Sequence, residues 1–219
     1  MYIVGLMDDT FIIKDGWSYI GFFVLLAVIG LSLRHHYGYF LFAPSVVLLA
    51  FMMWFFRNPE RTAPQGDHVV SPADGTVIKI VKNDKYGQFM GGDAVCVSIF
   101  MSVFSVHVNR CPVNGTVIEK KYNPGKFHIA SVDKASDLNE QTALFIEDEK
   151  GGKIVIVQIA GSVARRIVCA IDAGARMTLG RRYGMIKLGS RLDVYVGPAR
   201  EVKVGIGDKV KAGETIIAV

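Results

Sequence analysis

The run Lys187-Leu188-Gly189-Ser190-Arg191-Leu192 sets a serine hydroxyl directly after a glycine carbonyl, inside an apolar segment close to the C-terminus. Such a hydroxyl can attack the preceding carbonyl carbon, and glycine removes the side chain that would hinder the approach. The ester so formed can break by elimination, leaving a dehydroalanine that hydrolyses to a pyruvoyl group and ammonia. A ketone beside an amide carbonyl is an electron sink, able to form a Schiff base with a substrate amine. The dipeptide alone does not decide the matter. Gly-Ser also makes an ordinary bend before a strand, and a second pair, Gly161-Ser162, occurs in the same chain.

The elements that must position this serine read as short β runs punctuated by glycine. Strands are expected at residues 76–81, 94–100, 115–120, 142–147, 153–159, 191–196 and 214–219, with a short turn at 102–107. Helix signals in this region are weak, so the soluble part is expected to be a mainly β (α+β) domain. Two stretches look alike, Ser71-Pro72-Ala73-Asp74-Gly75-Thr76-Val77-Ile78 and Cys111-Pro112-Val113-Asn114-Gly115-Thr116-Val117-Ile118. Each reads as a proline entry, a turn closed by glycine and then a strand.

The N-terminus is different in kind. Segments 17–33 and 37–56 contain no Asp, Glu, Lys or Arg and flank Arg34-His35-His36, which suggests two apolar helices joined by a basic turn. A full span needs roughly 20 apolar residues, so the first is marginal and the second adequate. Spanning and dipping into one leaflet both stay open. Residues 1–56 carry a net charge of −1, which leaves +6 on residues 57–219. Positive charge starting at Arg57 and Arg61 favours a domain on the cytoplasmic side of a cell membrane, facing an anionic lipid surface. No aromatic-basic motif points to nucleic acid. The division expected is therefore 1–56, membrane-associating, and 57–219, catalytic. Cys96, Cys111 and Cys169 lack C-x-x-C spacing, which suggests reduced structural thiols rather than a disulfide framework or a metal site.

The C-terminal run Val204-Gly205-Ile206-Gly207-Asp208-Lys209-Val210-Lys211-Ala212-Gly213 resembles the closing hairpin of biotinyl and lipoyl carrier domains, which implies a barrel-sandwich-like core. A carrier would bear its modified lysine at a hairpin tip, and Asp133-Lys134-Ala135 has that look. Yet more than eighty residues follow Lys134, where a carrier would place it midway.

Several stretches taken in order resemble the phosphatidylserine decarboxylases of the short type. They are Ser71-Pro72-Ala73-Asp74-Gly75, Phe100-Met101-Ser102 running to Val106-His107-Val108-Asn109-Arg110-Cys111-Pro112, Asn139-Glu140, and Gly184-Met185-Ile186-Lys187-Leu188-Gly189-Ser190-Arg191. The resemblance covers residues 57–219 and implies removal of CO₂ from phosphatidylserine to give phosphatidylethanolamine. It implies a precursor cut between Gly189 and Ser190, with a β chain of residues 1–189 and an α chain of residues 190–219 that begins with the pyruvoyl cofactor. It also makes a homodimer plausible.

The same resemblance implies that Asp74 and His107 act with Ser190. In that arrangement His107 takes the hydroxyl proton, while Asp74 orients the imidazole and stabilises its charged form. An imidazole with a reference pKa of about 6.5 can also return a proton to the product carbon. Long-type members carry a second histidine where this chain has Arg110, and Gly-Ser-Thr where it has Gly-Ser-Arg. This leaves open whether His107 serves both steps. Arg165, Arg166, Arg181 and Arg182 are the candidates for the substrate phosphate. A pyruvoyl decarboxylase of a soluble amino acid is the alternative enzyme, against which the apolar N-terminus speaks.

Overall fold

The computed structural model describes residues 10–33, 36–125, 139–161, 167–187 and 190–219. The chain forms two compact units, one of residues 8–60 and one running from Arg61 to Val219.

The first unit is a helical hairpin. Helix α1 (Lys14–Ser32) and helix α2 (His36–Phe55) are each long and apolar enough to cross a membrane. They are not core helices: Leu31, Tyr37, Tyr39 and Phe40 are each more than 70% exposed, a cost that water would impose and lipid would not. Glycines let the two backbones meet. A Cβ on Gly38 would lie 2.4 Å from the Gly30 carbonyl oxygen, and one on Gly30 would lie 2.7 Å from the Phe42 nitrogen. The open ends are tied by backbone bonds from Ile13 N–H to Phe56 O (3.2 Å) and from Asn58 N–H to Phe11 O (2.7 Å). Pro44 lies within α2, and Arg34 and His35 of the expected basic turn lie outside the described residues.

The second unit is mainly β. Its large curled sheet has eight strands in the order β12-β2-β3-β11-β7-β6-β5-β9. In chain order these are β2 (Gly75–Asn83), β3 (Ala94–Met101), β5 (Gly115–Asn123), β6 (Gln141–Asp148), β7 (Lys153–Ile159), β9 (Arg176–Met177), β11 (Ser190–Val196) and β12 (Lys209–Val210). A three-stranded sheet, β4 (Val108–Arg110), β10 (Arg182–Ile186) and β8 (Ile167–Cys169), stands apart with β10 in the middle. Short strands β1 (Val69–Val70) and β13 (Ile216–Ala218) pair with each other. A single turn, α3 (Gly87–Met90), completes the elements.

Alternation along the strands separates two apolar layers. Val97, Ile99, Met101, Ile154, Ile156, Leu192 and Val194 face the main core, while Cys96, Val155, Val157 and Tyr195 face a smaller cluster capped by Tyr86 and Phe89.

The two similar sequence stretches open equivalent strands of an internal two-fold. Gly75 begins β2 and Gly115 begins β5. A Cβ there would strike the Phe100 oxygen at 2.2 Å and the Glu147 oxygen at 2.4 Å. Only glycine permits strands that close. The halves bond reciprocally, Arg110 N–H to Pro72 O and Val70 N–H to Pro112 O, both at 2.9 Å. A second repeat accompanies the first: Gly174-Ala175-Arg176-Met177-Thr178-Leu179-Gly180 matches Gly207-Asp208-Lys209-Val210-Lys211-Ala212-Gly213. Strand β9 pairs with β5 as β12 pairs with β2. All four of these glycines have positive φ, between 74° and 97°, where a side chain would be strained.

Candidate functional site

Ser190 is the first residue of β11, and its Cα partner across the sheet is Met101, the last residue of β3. Its side chain is fully buried, and the hydroxyl donates to the Met101 sulfur at 3.4 Å. Thioether sulfur is a weak acceptor, so the hydroxyl is oriented without losing its proton to a strong partner. Ser190 thus opens a central strand of the large sheet. Gly189 lies outside the described residues, as do Ser162 and Lys134.

His107 precedes β4 and is also fully buried. Its Nδ1 is 2.9 Å from the Ser105 carbonyl oxygen. A carbonyl only accepts, so Nδ1 carries the hydrogen and the neutral imidazole presents its lone pair on Nε2, the form a general base requires. The histidine is also tied to the chain approaching Ser190, because the Ile186 N–H donates to the His107 carbonyl at 3.3 Å. His107 is thus bonded to the segment that leads, four residues on, to Ser190.

Asp74 stands differently from the expected orienting role. Its Oδ2 accepts from Arg61 Nη2 at 2.8 Å and its Oδ1 from the Ala212 N–H at 2.8 Å. The contact that orients the imidazole comes from Ser105. Asp74 nevertheless sits at the same end of the sheet, immediately before the glycine that abuts Phe100, the neighbour of Met101.

The arginine candidates divide. Arg165 and Arg166 lie outside the described residues. Arg182 is 7% exposed and faces Arg110 across β10 and β4. At a strand rise of about 3.3 Å per residue it is roughly 13 Å along β10 from Ile186. Arg181 is exposed one residue further away.

Sequence reasoning passed over four buried groups here. Arg191 and Asp193 form a two-contact ion pair, both at 2.9 Å, on the face of β11 opposite Ser190. Gln158 Nε2 donates a 2.8 Å hydrogen bond to Asn109 Oδ1 on the Ser190 side. A lone Gln at an inward position of Lys-Ile-Val-Ile-Val-Gln-Ile was the available signal.

A duplicated β domain with a buried serine at a strand start, and a tautomer-fixed histidine bonded to the approaching chain, defines a class of protein built for acyl chemistry on its own backbone. The family model for phosphatidylserine decarboxylase matches residues 48–218. A phosphatidylserine decarboxylase proenzyme from Geobacter metallireducens is 44% identical over 213 residues, covering 96% of this chain and 97% of that one. Proenzymes of the same name from Aromatoleum aromaticum and Rickettsia akari are each 44% identical, covering 94% of this chain and 94% and 88% of their own. The chain belongs to the phosphatidylserine decarboxylase family.

Proposed function

We propose that this chain is a precursor that cuts itself between Gly189 and Ser190, and that the product decarboxylates phosphatidylserine to phosphatidylethanolamine at a membrane surface. The observation that carries the reading is the buried Ser190 hydroxyl beside a chain segment bonded to His107. The relatives' shared name, proenzyme, supports the cut.

The Ser190 oxygen attacks the Gly189 carbonyl carbon while His107 Nε2 takes the hydroxyl proton. The peptide C–N bond breaks, the nitrogen receives a proton, and an ester remains. Loss of the Ser190 α-proton then expels the Gly189 carboxylate, and hydrolysis of the residue left behind releases ammonia.

The surroundings fit a pyruvoyl group at position 190. Ser190 pairs with Met101 across the sheet, and the inward neighbours are apolar or neutral amides, a setting that limits water at a ketone. When present, that group supplies the electron sink for the charge left by departing CO₂. In this reading His107 also returns a proton to the substrate carbon. Asp74, held by Arg61 in the turn before β2, is the acidic member of the set, and Arg165, Arg166, Arg181 and Arg182 are the candidates for the phosphodiester.

The α1–α2 hairpin keeps the domain where a two-chain lipid resides, and Arg57, stacked 4.0 Å over Trp54 at the end of the hairpin, suits a cytoplasmic interface. The test is intact mass and a denaturing gel of the purified chain, followed by CO₂ release from phosphatidylserine vesicles, S-adenosylmethionine or histidine. Two fragments, the smaller blocked at residue 190, and activity on the vesicles alone are expected. A single active chain of 24.0 kDa would overturn the reading.

A further inference from the structure

Alternation along β7 turns Gln158 toward the main core with Ile154 and Ile156, where it is 1% exposed. Every strand of the small sheet meets it there. Its Nε2 donates to Asn109 Oδ1 of β4 at 2.8 Å and to the Val168 carbonyl of β8 at 3.4 Å. A Cβ on Gly184 of β10 would lie 3.0 Å from the same nitrogen. The Val168 carbonyl can only accept, which fixes which end of the Gln158 amide is nitrogen. The bond to Asn109 Oδ1 then turns Asn109 Nδ2 toward the Met101 sulfur, 3.9 Å away. The Ser190 hydroxyl donates to that sulfur from another side.

We infer that Gln158, Asn109 and Met101 are positioning residues for self-cleavage, a chain of contacts that sets the Ser190 hydroxyl against the preceding carbonyl. The inference rests on the cut at Gly189–Ser190. The small sheet carries His107 immediately before β4 and the chain leading from β10 to the cut; the large sheet carries Ser190. Gln158 is a buried polar side chain of the large sheet that bonds two strands of the small one, so it helps set the base and nucleophile relative to each other. Packing alone would not keep this amide. Its Oε1 is buried and has no hydrogen-bond partner among the described residues, which a leucine would avoid.

The test follows cutting of the full chain made by cell-free translation into lipid nanodiscs. The native chain, Ser190→Ala, Met101→Leu, Asn109→Leu and Gln158→Glu are compared, with samples quenched with and without hydroxylamine. Met101→Leu keeps the volume and removes the sulfur. It is expected to melt like the native chain and to cut at least about tenfold more slowly, since misplacement by an ångström is that costly. The uncut chain should resist hydroxylamine, because the ester has not formed. Asn109→Leu should behave alike. Gln158→Glu regains a donor only when its carboxyl is protonated, so its rate should rise toward about pH 5, where a histidine-dependent native rate falls.

Native cutting with unchanged cutting in Met101→Leu sinks this inference alone. So does a hydroxylamine-labile ester in the variants, which would move the fault to the later elimination, or loss of the Met101→Leu melting transition, which would make the thioether a core support. A native chain that never cuts sinks the underlying reading instead.

Discussion

Asp74 and Asn114 are the same residue of an internal duplication, one charged and one neutral. Asp74 Oδ1 accepts the Ala212 N–H at 2.8 Å, and Asn114 Oδ1 accepts the Leu179 N–H at 2.8 Å. Each fastens a proline–glycine turn to a Gly-to-Gly hairpin of its own half. The fold therefore needs an oxygen at this place and not a charge. What Asp74 has beyond Asn114 is the bond to Arg61 and a position beside Phe100 and Met101, the sheet neighbours of Ser190.

Asp74→Asn separates these roles. The cap survives and the pairing with Arg61 weakens, which costs about 1–3 kcal/mol for a charge-assisted bond between mostly buried groups. The expected outcome is a folded chain with a somewhat lower melting temperature that fails to cut, read by thermal melt and denaturing gel. Normal cutting in the folded variant would show that the charge has no part in the reaction.

Gly75→Ala and Gly115→Ala test the duplication from the backbone side. Each added Cβ meets a carbonyl oxygen of the neighbouring strand, at 2.2 Å and 2.4 Å, so each strand pair must open. Losses of about 1–3 kcal/mol are expected from both. Only Gly75 adjoins the Phe100–Met101 segment, so only Gly75→Ala should slow cutting when the variants are compared at temperatures of equal folded fraction. Equal slowing in both would deny the first half its special place.

The long alternating runs were readable because their burial repeats within one strand: residues 153–159 form β7 as expected, and 76–81, 94–100, 115–120 and 142–147 fall within β2, β3, β5 and β6. Strands β4, β8 and β10 were not, because they are short and their pairing partners are remote in sequence. In Arg182-Tyr183-Gly184-Met185-Ile186 the glycine that weakens a strand signal is the residue that admits the Val168 carbonyl and the Gln158 amide. Ser190 and His107 stand out in the sequence through motif order alone. The Ser105 contact on His107 and the Arg61 contact on Asp74 do not, since each depends on how loops fold back rather than on spacing. The Gly174–Gly180 and Gly207–Gly213 repeat was visible as glycines six apart with a basic residue two after the first, but too sparse to weigh without its partner turns.

Tyr183 offers a stability test away from the chemistry. It is fully buried in the main core, and its hydroxyl has no hydrogen-bond partner among the described residues. A desolvated, unsatisfied hydroxyl costs about 1–3 kcal/mol, and phenylalanine has nearly the same shape. Tyr183→Phe is therefore expected to raise the denaturant midpoint with cutting unchanged. A loss of more than about 1 kcal/mol would mean that the hydroxyl has a partner worth keeping.

Two thiols make stability fall at alkaline pH. Burial pushes Cys96 from an ordinary value of 9.0 up to about 12, helped by the nearby Asp193 charge. Burial does the same to Cys111, also to about 12. The folded chain therefore keeps these protons where the unfolded chain has lost them. Between about pH 9 and about pH 12 the unfolded state binds fewer protons, so unfolding becomes easier as pH rises. The stabilisation is complete below the unfolded thiol value and is lost on the way to the folded one, with a limiting slope of about 1.4 kcal/mol per pH unit for each thiol. Tyrosines titrate in the same range, so the informative quantity is a difference. Cys96→Ala and Cys111→Ala should each flatten the fall of unfolding free energy between pH 9 and 10.5 relative to the native chain, whatever either change does at pH 7. Native Cys96 and Cys111 should also resist iodoacetamide at pH 8 and react once urea unfolds the chain. Parallel curves for native and variant chains, or rapid native labelling at either site, would mean that the thiols are not held protonated by the core.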